Sequence, residues 1–133
     1  MNQAFRAEIG FDTDDFQKPI MYSGKEAWVR QILQLCMMER GTFPSNPTIG
    51  VGMMGYDFLL EDDRRRLETE INRQVPIFFP DVPFQSAQTR AAAENEDQDI
   101  IYLFLTFIVS GNTEVAVVAA KKQNTYINFA IAM

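Results

Sequence analysis

The chain reads as an α+β domain in which two or three helices pack on a small, mainly antiparallel C-terminal sheet. Two stretches in the first half, up to Arg40 and from Leu60 to Phe78, carry apolar residues at helical spacing. After Pro83 the pattern changes to long apolar or alternating runs broken by Ser110-Gly111-Asn112-Thr113, a hairpin signal. The length of 133 residues, 47% of them hydrophobic, suits a single core, so the expected organisation is an arm over 1–20 and one domain over 21–133.

Residues 1–20 mix Phe5, Ile9, Phe11 and Phe16 with acids and hold no sustained period. They read as an arm, either loose or ordered by docking its aromatics into a groove. Ser23-Gly24-Lys25-Glu26 has capping-box spacing and opens a helix that should run to about Arg40, with Gly41 placed to end it. On it Trp28, Val29, Ile32, Leu33, Leu35, Cys36 and Met37 form a broad buried arc, leaving Arg30, Gln31 and Gln34 as a polar strip. Two prolines and several glycines between Gly41 and Gly55 then predict an ordered loop.

Glu61, Asp62 and Asp63 mark the positive end of a second helix, whose Leu60, Leu67, Ile71, Val75 and Phe78 share one narrow face. Pro76 should kink or stop it. Phe84 to Thr89 reads as a first strand, although Ser86 to Glu94 contains good helix formers and the boundary stays open. The acidic run from Glu94 to Asp99 is a solvated turn, and Ile100 to Val109 is apolar on both faces, as a central strand would be. Gly111-Asn112 is the pair expected at positive φ. Glu114 to Lys121 and Tyr126 to Met133 complete a meander, the last strand placing Ile127, Phe129 and Ile131 on one face and Tyr126, Asn128 and Ala130 on the other.

Charge and composition narrow the function. With 18 acidic against 12 basic residues, a net charge of −6 and a pI near 4.6, the average field repels a phosphate backbone, so nucleic acid is not the expected ligand. The absence of His and the single Cys36 remove the usual neutral-pH proton shuttle, an intrachain disulfide and any Cys/His metal cage. The longest apolar run is about half the roughly 20 residues of a membrane span, and no basic segment precedes an apolar one at the N-terminus. The expectation is an intracellular, non-catalytic protein with no cofactor, metal or membrane association.

Gly50-Val51-Gly52-Met53-Met54-Gly55 matches the dinucleotide-binding pattern by letter, but prolines stand where its strand should be and Tyr56-Asp57-Phe58 intervene before the helix. It reads as a loop shaped by glycine so that backbone or Met side chains pack closely. Glu39, Asp57 and Glu61 have the placement to converge around that loop, as a glycoside hydrolase would need, but an acidic chain always offers such triples and no aromatic sugar groove accompanies them. Asp62-Asp63-Arg64-Arg65-Arg66 reads as a solvated face with local ion pairs, and Cys36 as a buried structural thiol.

From Glu26 to Val82 the order of features resembles the baseplate wedge proteins of contractile-tailed phages, the family once described as lysozyme-like, with relatives in type VI secretion baseplates. The likeness rests on Val29-Arg30-Gln31-Ile32-Leu33 in an amphipathic helix, the loop with Pro47 and Gly50, the helix carrying Leu67-Glu68-Thr69-Glu70-Ile71-Asn72-Arg73-Gln74, and a corner at Pro80-Asp81-Val82. The family's corner reads Glu-Pro-Arg; here Phe79 and Asp81 flank the matching Pro80. The resemblance implies a structural subunit of the tail baseplate in the virion, assembled in the host cytoplasm with other wedge subunits and the tail sheath protein. The alternatives are a free-standing bacterial regulator that blocks an adaptor protein, on a similar fold, and a muramidase.

Two partner surfaces follow from that resemblance. The corner Phe79, Pro80, Asp81 and Val82 is one, with Phe79 either an exposed apolar anchor or tucked into its own core. The other is the last strand, with Tyr126, Asn128 and Ala130 facing outward, or whichever strand lies at the sheet edge. The sequence stops inside an alternating pattern with no charge or proline to blunt it, as expected of a strand that another chain extends.

Overall fold

The computed structural model describes residues 2–5, 24–42, 44–45, 47–93, 95–96, 98–123 and 126–132. In chain order these form β1 (Asn2–Phe5), α1 (Gly24–Met37), a single 3-10 turn (Met53–Gly55), α2 (Glu61–Phe78), β2 (Phe84–Ala91), β3 (Ile100–Val109), β4 (Asn112–Lys122) and β5 (Ile127–Ala132). The fold is α+β, with α1 and α2 on one face of an antiparallel sheet of order β1-β5-β4-β3-β2. Ser23, the first residue of the expected capping box, lies outside the described residues, as do 6–20 of the arm.

Strand alternation builds the core. Ile101, Leu103, Leu105 and Phe107 of β3, Ala116, Val118 and Ala120 of β4, and Ile127, Phe129 and Ile131 of β5 are all at most 1% exposed. Their Cα partners place them on one face, for example Leu103 opposite Val118 and Val118 opposite Ile131. Against that face lie Val29, Ile32, Leu33, Leu35 and Cys36 of α1 and Leu67, Ile71 and Val75 of α2. The Trp28 ring meets Phe107 with centroids 5.4 Å apart. The residues between, among them Phe104, Val117, Ala119, Asn128 and Ala130, are half-buried on the opposite face.

Several boundaries differ from the sequence expectation, each for a local reason. Helix α1 stops at Met37, not near Arg40, because the glycine loop folds back onto its last turn: Val51 N–H donates to Leu35 O at 3.2 Å and Gly52 N–H to Met38 O at 2.9 Å. Arg30, assigned to the polar strip, is only 7% exposed, and its guanidinium reaches Glu26 Oε1 at 3.4 Å, one turn back. Leu60, assigned to the buried stripe, is 53% exposed because it is the N-cap of α2 and has left the helical wheel. Pro76 falls in the final turn of α2, which runs only two residues past it to Phe78 and is closed by Phe79 N–H on Val75 O at 2.8 Å.

The open boundary after Pro83 resolves as strand, with a bulge between Phe84 and Ser86. At the β3–β4 hairpin the residues at positive φ are Ser110 (53°) and Gly111 (81°), one position earlier than expected. Pairing of Val109 with Asn112 fixes those two as the loop, so Asn112 belongs to the strand.

Candidate partner-binding surfaces

The two ends of the sheet are finished differently. Strand β5 is not an edge: β4 lies on one side and β1 on the other, with Gln3 opposite Ile131 and Phe5 opposite Phe129. The expected addition of a partner strand along Tyr126 to Met133 is therefore corrected over Phe129–Ala132, where backbone pairing on both sides leaves no ladder to extend. The first residues of the arm occupy that place, as strand β1, by backbone pairing. Asn128 and Ala130 sit half-buried on the sheet face away from the helices, and Tyr126 is half-buried just before β5. The edges are β1, beyond which no strand lies among the described residues, and β2.

Edge β2 is closed by side chains of α2. Asn72 accepts the Ala87 N–H on Oδ1 at 2.8 Å and donates from Nδ2 to Ala87 O at 3.0 Å. Two residues on, Glu68 Oε2 accepts both the Thr89 N–H and the Thr89 hydroxyl at 2.7 Å.

The Pro80 corner is a tight turn in which Val82 N–H donates to Phe79 O at 3.1 Å, held to the sheet by Ile108 N–H on Pro83 O at 2.9 Å. Pro80 and Asp81 are exposed and Val82 is half-buried. Phe79 is half-buried and packs on the core, so it is not the exposed anchor. The exposed apolar side chain beside this corner is Ile77, at 59% exposure, which the sequence reading missed. Its signal was available: two positions past Val75 is roughly 200° around the wheel at 3.6 residues per turn, opposite the buried stripe.

The glycine loop is built as packing. Gly50 is buried at φ 117°, and a Cβ there would meet Met38 O at 2.6 Å and the Glu39 backbone at 2.7 Å. Gln74, fully buried on α2, accepts the Gly50 N–H at 2.8 Å and donates to Gly50 O at 3.0 Å. The Gly52 N–H is spent on Met38 O and the Gly55 N–H on Gly52 O, so the amides that a phosphate would need from these three glycines are already bonded. Met53 is fully buried beneath the loop, as close packing of its methionines requires.

The carboxylates of the hydrolase reading serve local structure. Asp57 Oδ1 accepts the Leu59 N–H at 2.9 Å, Glu61 pairs with Arg65 at 2.7 Å one turn on, and Glu39 is exposed. Asp63 is buried: its Oδ2 accepts the Asp57 N–H at 2.7 Å and its Oδ1 an Arg66 N–H. Those bonds, the backbone one foremost, hold its carboxyl below the usual range. Burial pushes the Cys36 thiol up to about 12, a structural sulfur with no thiolate at neutral pH. Among the described residues no three His, Cys, Asp or Glu are grouped to hold a metal, and no helix is long and apolar enough to cross a membrane.

No family model matches the chain, and no curated protein or solved structure matches it. The wedge-protein resemblance thus rests on the residues quoted for it.

Proposed function

We propose that the chain is a non-catalytic structural subunit of a contractile-tail baseplate. In this reading it joins neighbouring wedge subunits at the Pro80 corner and offers the β1 edge to a strand from a sheath-type subunit, within a hetero-oligomeric assembly. The observation that carries the proposal is the unequal finish of the sheet: β2 is bonded to α2, whereas β1, four residues long, is the last strand on its side among the described residues. A terminal strand presents a row of backbone donors and acceptors that another chain can pair with, tolerating sequence variation in the partner.

Successive residues of an antiparallel strand turn their N–H groups to opposite sides. Of Gln3 and Ala4, one therefore faces β5 and the other faces outward. Reconstituted with its wedge and sheath partners, one of Gln3→Pro and Ala4→Pro should keep the wild-type melting temperature yet fail to seed sheath. Normal sheath growth from both variants would reject strand addition at β1. At the corner, Ile77→Asp should leave the melting temperature unchanged and abolish copurification with wedge subunits; retention of wedge binding would remove the corner from the interface.

A further inference from the structure

Helix α2 does more than cover the core beside β2. Along an α-helix, residues four apart are separated by about 6 Å, and along a strand residues two apart by about 6.6 Å. Glu68 and Asn72 therefore match the spacing of Thr89 and Ala87, the residues whose N–H groups turn away from β3. Asn72 gives Ala87 one donor and one acceptor, the pair of bonds that a residue of a neighbouring antiparallel strand would give. Glu68 takes the next outward N–H, and the Thr89 hydroxyl with it. Two side chains thus stand where a further strand would pair with β2.

We propose that Asn72 and Glu68 form a seal that keeps the β2 edge from pairing with a second copy of this chain. The physical reason concerns closure. A sheet open at both ends offers two different edges to its own copies, a head-to-tail contact that does not close and grows into fibres. With β2 sealed, β1 is the edge that remains among the described strands, and a subunit can accept a strand at one end without propagating.

The test uses the full chain with Asn72→Ala and Glu68→Ala together. Both are helix-compatible changes at the rim, and circular dichroism with a cooperative melt establishes that the variant folds. The expected result is concentration-dependent association, with an apparent mass raised about twofold or more by sedimentation, while the parent chain is unchanged over the same range. Adding Thr89→Pro removes the outward N–H and leaves the β3 ladder intact, so it should return the double variant to the parent's mass. If the double variant does not fold, the single changes Asn72→Ala and Glu68→Ala, each of which frees one outward N–H of β2, carry the same comparison. A folded variant with the parent's mass, or association that Thr89→Pro does not reverse, would overturn the proposal. Growth beyond a dimer and growth that stops at a dimer both support the seal. They differ on the β1 reading, because only an open β1 edge lets the series continue.

Discussion

Helix α2 grips backbone on two sides with the same chemical group. On the loop side the Gln74 amide exchanges two bonds with Gly50, and on the strand side the Asn72 amide exchanges two bonds with Ala87. The distances are nearly equal, between 2.8 and 3.0 Å. What differs is the surroundings: Gln74 and Gly50 are both buried, whereas at the other grip Ala87 is buried but Asn72 is exposed, so that removing the Asn72 amide opens the Ala87 backbone to water. A buried N–H or C=O that loses its partner bears its full desolvation cost; one at the rim regains a bond from water. The same pair of bonds therefore holds the fold together in one place and, in the other, governs what the fold can join.

Truncating each amide breaks the comparison open. Gln74→Leu leaves the Gly50 N–H and C=O without their partner inside the core, at about 1–3 kcal/mol for each group, so urea denaturation should show roughly 2–6 kcal/mol of lost stability. Asn72→Ala should cost about 1 kcal/mol or less in the same experiment. The rim bonds are replaced by water, and alanine recovers roughly half a kcal/mol in helix propensity. Equal losses at the two positions would show that burial does not separate them.

These two residues also mark where the sequence was legible. Ile71, Gln74, Val75 and Phe78 follow helical spacing, so Gln74 sits on the buried face by position alone, and a polar residue there announces a buried partner. That the partner is Gly50, 24 residues back, depends on how the loop folds over α1, which no local pattern encodes. The strands were legible for the same reason as the stripes, since alternation over Ile127, Phe129 and Ile131 survives in the structure. Their order was not: β5 is interior only because Asn2–Phe5 crosses the whole chain to pair with it, and four residues carry too little period to be read as a strand. At the corner the bulkier Phe79 packs on the core and Ile77 is exposed, as its wheel position opposite the buried stripe dictates.

A third contact on the loop side sharpens the comparison through pH. The Asp63 carboxylate accepts the Asp57 N–H, the largest cause of its lowered pKa, with the neighbouring Arg66 adding to it against the opposing effect of burial. A carboxyl whose folded pKa lies below its unfolded value of about 3.9 stabilises the fold fully above that value, and the contribution is lost as pH falls through the folded one. On the strand side the Asn72 amide does not titrate. Urea midpoints measured from pH 7 down to pH 2 should fall in acid for the parent chain, to which Glu70 and Glu96, also lowered, contribute. Asp63→Asn keeps an acceptor for the Asp57 N–H but cannot ionise, so its midpoint should start lower at pH 7 and fall less below about pH 4. The Asn72→Ala chain should run parallel to the parent throughout. Parallel curves for Asp63→Asn and the parent would show that the Asp63 contact contributes no more charged than neutral, and the loop side would then rest on the Gln74 grip alone.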